Sequence, residues 1–290
     1  MTGRGLSSLT RDEILEGIGL VIGRVFVFLV FLFLLGPFLV IFITSFSSSV
    51  AMAFPPPGFS LQWYKRFVDH ILEVGNVKPG FVDALLTSIS AGIGAAAFTV
   101  VAGVLAAYVF ARTRWSGRDF VRQLFALPIV FPQIVIGIGL LVFFSALKFG
   151  TPMMRLVLGH AIICLPYVIM IVGANLELHD RSVEEAALGL GAGPVRTFLL
   201  ITVPIVRPGI IAAAVFAFII SFTNFTVSFF LISEGLKTLP VWIFNVIEHF
   251  LDPMLAVVSV MLIAMTAITA FVVDRLVGLA GVRRERKEPA

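Results

Sequence analysis

Charge is what this sequence has least of. Asp, Glu, Lys and Arg make up 13% of its 290 residues, about half of what a water-soluble domain carries. That shortage excludes a chain able to cover its whole surface with groups suited to water. Cysteine is nearly missing as well: Cys164 stands alone inside an apolar run, so neither an internal disulfide framework nor a Cys-rich metal site can form. His70, His160, His179 and His249 fall in different segments without carboxylate or thiol partners at ligand spacing. Each reads as a lone interfacial or packed histidine, and no metal site is expected. The chain also lacks a Gly-x-x-x-x-Gly-Lys-Ser/Thr run and so has no usual means of cradling nucleotide phosphates. A net charge of +4 without a basic stripe interleaved with aromatics gives no reason to invoke nucleic acid.

What is present is apolar length. Hydrophobic residues make up 59% of the chain and the mean hydropathy is +1.06. Six runs, at 25–44, 82–110, 120–147, 153–176, 209–233 and 253–279, are each long enough to cross a hydrocarbon core roughly 30 Å thick. Cytoplasmic loops retain Lys and Arg. With the N-terminus inside, 15 of the 21 basic residues lie on the inner side and six on the outer, which places both termini in the cytoplasm. The longest inner loop then covers 177–208.

The first run is too long for the core of a signal peptide, although Ala51-Met52-Ala53 behind it has the form of a small-residue cleavage site. Thr10-Arg11-Asp12-Glu13 has the pattern of a capping box that starts a helix well before the membrane. Pro55-Pro56-Pro57-Gly58 then forbids helix. Trp63, Tyr64 and Phe67 offer rings suited to the outer interface, so this segment is expected to lie on the membrane surface.

Between the fourth and fifth runs lies Ser182-Val183-Glu184-Glu185-Ala186-Ala187-Leu188-Gly189-Leu190-Gly191-Ala192-Gly193-Pro194. It reads as helix, turn, helix. Ser182 and Glu185 are spaced as a capping box. Gly191 and Gly193 permit the left-handed conformation that ends a helix, and Pro194 suits the first turn of the next. Pro204 and Pro208 interrupt or end that second helix. Small side chains at Ala186 and Ala187 leave room for another backbone, and the acidic pair Glu184 and Glu185 can face basic groups.

The run Glu185-Ala186-Ala187, with Gly191 following and then Ile201-Thr202-Val203-Pro204, resembles the EAA signature of binding-protein-dependent ABC importer permeases, with Val203 where Leu is usual. The likeness extends from about Pro57 to Leu276. Pro57-Gly58-Phe59-Ser60-Leu61-Gln62-Trp63-Tyr64 and Leu165-Pro166-Tyr167 resemble the spermidine/putrescine branch in particular. The resemblance implies an all-α membrane protein with the type I importer permease fold, six transmembrane helices and one permease domain over 1–290. It implies a coupling helix, with Glu184, Glu185, Ala186, Ala187, Leu188, Gly189 and Gly191 seated in a cytoplasmic ABC ATPase. The implied partners are an ATPase dimer holding ATP and Mg, a second permease and an extracytoplasmic solute-binding protein. The chain itself is expected to bind no cofactor and to catalyse nothing.

Polar groups inside an apolar run are candidates for a substrate path. Ser221, Thr223, Asn224, Thr226 and Ser228 lie in the fifth run, where Ser221, Asn224 and Ser228 follow i, i+3, i+7 spacing on one helical face. Gln133, between Pro132 and Gly137-Ile138-Gly139, is a further candidate. Packing between helices explains the same residues without any substrate. Pro128, Pro132 and Pro166 are expected to kink their spans. Polyamine-type relatives would carry acids near Thr223-Asn224, and this chain has none there. The cargo class therefore stays broad: a polyamine or related amine, an amino-acid-like or an opine-like compound. A secondary transporter driven by an ion gradient is the alternative, but it would favour ionisable residues at mid-membrane or an internal repeat. An intramembrane enzyme would need a Ser/His, paired Asp or metal constellation within the spans.

Overall fold

The computed structural model describes residues 11–72, 80–233, 235–249, 253–264, 266–268 and 271. Thr10, the expected cap of the first helix, and 272–279 of the sixth run lie outside them. Among the described residues, regular structure is helical apart from two isolated bridges, Ser47 with Phe59 and Ser233 with Leu236. It divides into two compact units, Met1–Phe67 with Leu251–Met261, and Val68–Phe250 with Leu262–Ala290.

In the first unit, α1 (Arg11–Thr44) is one unbroken helix through Pro37. Its apolar side chains remain largely exposed, Phe33 at 81%, as expected of a helix whose solvent is lipid. At its end Ser45 Oγ lies 2.9 Å from the Tyr64 hydroxyl, and the Phe46 and Tyr64 rings are 5.1 Å apart. The helix α2 (Gln62–Leu72) starts after the proline run. Here the sequence reading needs correction. Trp63 and Phe67 are buried and are not free to offer their rings to an interface, because α2 turns them inward and exposes Lys65 and Arg66.

In the second unit, α3 (Phe81–Arg112) and α6 (Pro152–Glu177) are continuous and long and apolar enough to span a membrane. Pro166 lies within α6 without ending it. Small residues let the two approach. A Cβ added at Gly103 of α3 would lie 2.6 Å from Val168 Cγ1 of α6, inside van der Waals contact. Without a hydrophobic drive between helices in lipid, such close approach supplies dispersion energy that larger side chains would prevent.

The third run is not one straight span. It forms α4 (Arg118–Val130) and α5 (Gln133–Ala146), bent by 104°. Pro132 cannot donate into the ladder and disfavours helix at Phe131, so the expected kink is a full break. The fifth run is broken as well: α10 (Arg207–Thr223) and α11 (Thr226–Leu231) are separated by Asn224 and Phe225. The helix α12 (Leu239–His249) lies against α3, with Leu239 N donating to Ser88 Oγ at 2.7 Å and the Phe81 and Trp242 rings 5.6 Å apart. The sixth run is helical over 254–264. Among the described residues, three helices qualify as spans alone, and five if α4 with α5, and the stretch 194–205 with α10, each count as one.

Candidate functional site: the coupling loop and the helix breaks

The loop between α6 and α10 begins with α7 (Ser182–Gly189). The capping box between Ser182 and Glu185 does not form. Arg181 is the N-cap, and its carbonyl accepts from the backbone of Glu184 and Glu185. Asp180 does the capping instead: its carboxylate accepts from Ser182 N at 2.9 Å and from Ser182 Oγ at 2.7 Å. The side-chain bond from Ser182, and then the backbone bond, hold the Asp180 carboxyl below its ordinary value. A carboxylate two residues ahead is a stronger acceptor than the hydroxyl it captures. Glu185, freed from capping, pairs with Arg181 at 3.0 Å on the exposed surface.

The C-terminus of α7 is as the sequence predicts. Gly191 has φ +88, Gly191 N donates to Leu188 O, and Ala192 N donates to Ala187 O, the paired bonds of a Schellman ending. Gly193 departs from the expectation, since its φ of −70 is open to any residue and it serves as N-cap of α8 (Pro194–Thr197) with Pro194 in the first turn. A π-helical turn (Phe198–Thr202) and α9 (Val203–Ile205) follow, and the chain bends by 74° into α10. The wide turn comes just ahead of Pro204, which cannot donate to the carbonyl four residues back.

The two acids of α7 separate. Glu185, Ala186, Leu188 and Gly189 are exposed, whereas Glu184 and Ala187, one turn apart, are buried. Glu184 does not face outward as the sequence suggested. Its carboxylate takes Arg112 Nε at 3.0 Å and Nη2 at 3.1 Å, with the two side chains 9% and 11% exposed. Arg112 is the last residue of α3, and one turn before it the Tyr108 ring meets Phe198 at 4.7 Å. Sequence reasoning missed both α3 residues, because Arg112 counts there only as a topological charge and lies 72 residues from Glu184. Beside this buried pair, Val183, Leu188 and Val195 are exposed, and Leu190 reaches 90%.

At the break between α10 and α11, Asn224 replaces lost ladder bonds. Its Oδ1 accepts from Val227 N at 2.9 Å and its Nδ2 donates to Gln133 Oε1 at 2.9 Å. Asn224 thus starts α11 and ties it to the first residue of α5, where the other break lies. Ser221 and Ser228 do not share a stripe on one helix, since the break intervenes. They are brought together by His160 of α6, wholly buried, with Nδ1 2.7 Å from Ser221 Oγ and Nε2 2.9 Å from Ser228 Oγ. Ser228 has one hydroxyl hydrogen and gives it to Asn224 O at 2.6 Å. Nε2 must therefore donate to Ser228, and in the neutral imidazole Nδ1 then accepts from Ser221. Thr223 is exposed and bonds its own helix at Ile219 O, 2.8 Å away. Thr226 is half-buried and Gln133 exposed.

Residues 99–285 match the family described as binding-protein-dependent transport system inner membrane component. The putrescine transport system permease protein PotI of Escherichia coli (strain K12) is 29% identical over 263 residues, covering 88% of this chain and 90% of that protein. The spermidine/putrescine transport system permease protein PotC of Haemophilus influenzae is 26% identical, covering 83% and 90%. A chain of a bacterial ABC transporter involved in the import of the acidic polysaccharide alginate superposes with TM-score 0.69 at 18% identity, over 92% of this chain and 98% of that one. The all-α fold is thus that of ABC importer permeases. With an EAA-type loop, broken spans and a match over most of its length, the chain belongs to the binding-protein-dependent transport system inner membrane components and is the permease subunit of an ABC importer.

Proposed function

We propose that this chain forms half of the membrane core of a bacterial importer for a small polar amine of the polyamine class. It crosses the cytoplasmic membrane several times with both termini inside. It pairs with a second, different permease and takes solute from an extracytoplasmic binding protein. Two cytoplasmic ATPase subunits, holding ATP and Mg, supply the energy. The observation that carries the reading is the outward face of α7. A short, well-capped helix presents Glu185 and Ala186 beside exposed Leu188 and Leu190, an apolar knob with one charge, suited to insertion into a cleft.

In this reading Glu185, Ala186, Leu188 and Gly189 contact the ATPase. Gly191 ends the helix, and Glu184 and Ala187 anchor it. Gln133, Thr223, Asn224 and Thr226, gathered about the two breaks, lie along the substrate path. Ser221 and Ser228 serve it indirectly, by packing on His160. The names of the relatives support an amine cargo. No acid lies beside Asn224 in sequence, and a desolvated polycation needs opposing charge, so the second permease contributes that charge.

Co-purification with the ATPase tests the docking role. Glu185→Lys is expected to abolish ATPase association and uptake while the chain still inserts, and a stable complex with full uptake would refute it. Calorimetric titration of the cognate binding protein with putrescine, spermidine, amino acids and opines tests the cargo, and preference for a zwitterion would replace the amine.

A further inference from the structure

The loop joins α6 to α10 in sequence, yet its charged anchor is on α3. Arg112 closes α3, where the helix dipole is negative, and Glu184 sits in the first turn of α7, where it is positive. The pair therefore satisfies both helix ends as well as each other. The fork is bidentate and nearly dry, a geometry that fixes orientation as well as distance. The second arm of the loop is held by the same turn of α3, through Tyr108 against Phe198. From there α3 meets the rest of the unit without slack. Gly103 faces Val168 of α6, and a Cβ at Gly92 would lie 2.9 Å from the Phe218 ring of α10. Those two helices carry His160 and Ser221, which meet beside the Asn224 break.

We propose that Arg112 and Tyr108 are positioning residues that make α3 the helix receiving the movement of the coupling loop. The inference rests on the reading that α7 docks on an ATPase. A loop hinged only by its covalent ends would pass displacement to the C-terminus of α6 and the N-terminus of α10 separately. Clamped at both arms to one turn of α3, it moves with α3 as a body and displaces α6 and α10 through close packing. Arg112 need not touch ATPase or solute to set how much transport each ATP yields.

The test uses the complete transporter in proteoliposomes, measuring bound ATPase, ATP hydrolysis and uptake together. In Arg112→Gln the ATPase stays bound and hydrolysis continues, while solute moved per ATP falls about tenfold, within the range that changes along a coupled network produce. Arg112→Lys keeps the charge and loses the fork, so it folds readily and gives a smaller fall of the same kind. Wild-type transport per ATP in either single variant overturns the proposal. So does loss of bound ATPase in both, which would make the pair a builder of the docking surface. If the unaltered chain bound no ATPase at all, the docking reading would fail instead, and the two failures are thereby told apart.

Discussion

Replacing the two serines around His160 one at a time tests the bonding at the centre of the second unit. Ser221 gives one hydrogen bond to the ring, whereas Ser228 takes one from Nε2 and gives one to Asn224 O. Side-chain hydrogen bonds between membrane helices average about 0.6 kcal/mol with a maximum near 1.7. Ser221→Ala should therefore cost about 0.6 kcal/mol. Ser228→Ala loses two bonds and leaves the buried Nε2–H without an acceptor, which raises its cost to about 2 kcal/mol. His160→Ala removes both ring bonds and opens a cavity between α6, α10 and α11, for about 3 kcal/mol or more. Reversible unfolding of the purified chain in bicelles with rising SDS fraction, followed by circular dichroism, measures all three. An equal or larger cost for Ser221→Ala would refute the proton placement on Nε2. Costs below about 0.3 kcal/mol throughout would show that the cluster contributes nothing to packing. The serines' oxygens face His160, so Ser221→Ala should leave the apparent affinity for transported solute within twofold while lowering stability.

Gly191→Asp places a side chain at φ +88, costing about 1–2 kcal/mol locally, and should abolish uptake and ATPase association while membrane insertion, read by protease protection, is unchanged. Gly103→Ala forces contact with the stiff, buried Val168 and should lower stability by about 1–3 kcal/mol, whereas Gly139→Ala, facing open space within α5, should be neutral or slightly stabilising in the same unfolding assay. Asp180→Ala should fray the start of α7 and weaken ATPase binding. Because the Asp180 carboxyl is held below its ordinary value, its contribution is complete above that value and is lost as pH falls through the lowered one, so ATPase binding should weaken only in acid.

Local features were legible where the competing groups are close in sequence. Gly191 and Pro194 act through their own backbones, and the Schellman ending and the new helix start appear where those residues stand. Ser182 was misread for the same local reason, since Asp180 offers a better acceptor only two residues away. The kink at Pro132 was legible, but its depth and the break at Asn224 were hidden because apolar runs measure length and not continuity. A proline made the third run a bent pair, and an asparagine that found a partner in Gln133 interrupted the fifth. Trp63 and Phe67 carry the composition of interfacial rings, and only the packing of α2 shows that they are buried.

The sequence by itself determined the solvent and the motif: thirteen per cent charge and the six apolar runs follow from transfer free energies that act residue by residue. The type of loop follows from capping chemistry of equally short range. Only the tertiary structure decided which acid of the loop faces outward. Glu184 and Glu185 are chemically identical neighbours, and what separates them is Arg112, 72 residues before Glu184. A helix places successive residues about 100° apart, so one of the pair had to turn toward α3 when the other turned away, and the position of α3 chose which.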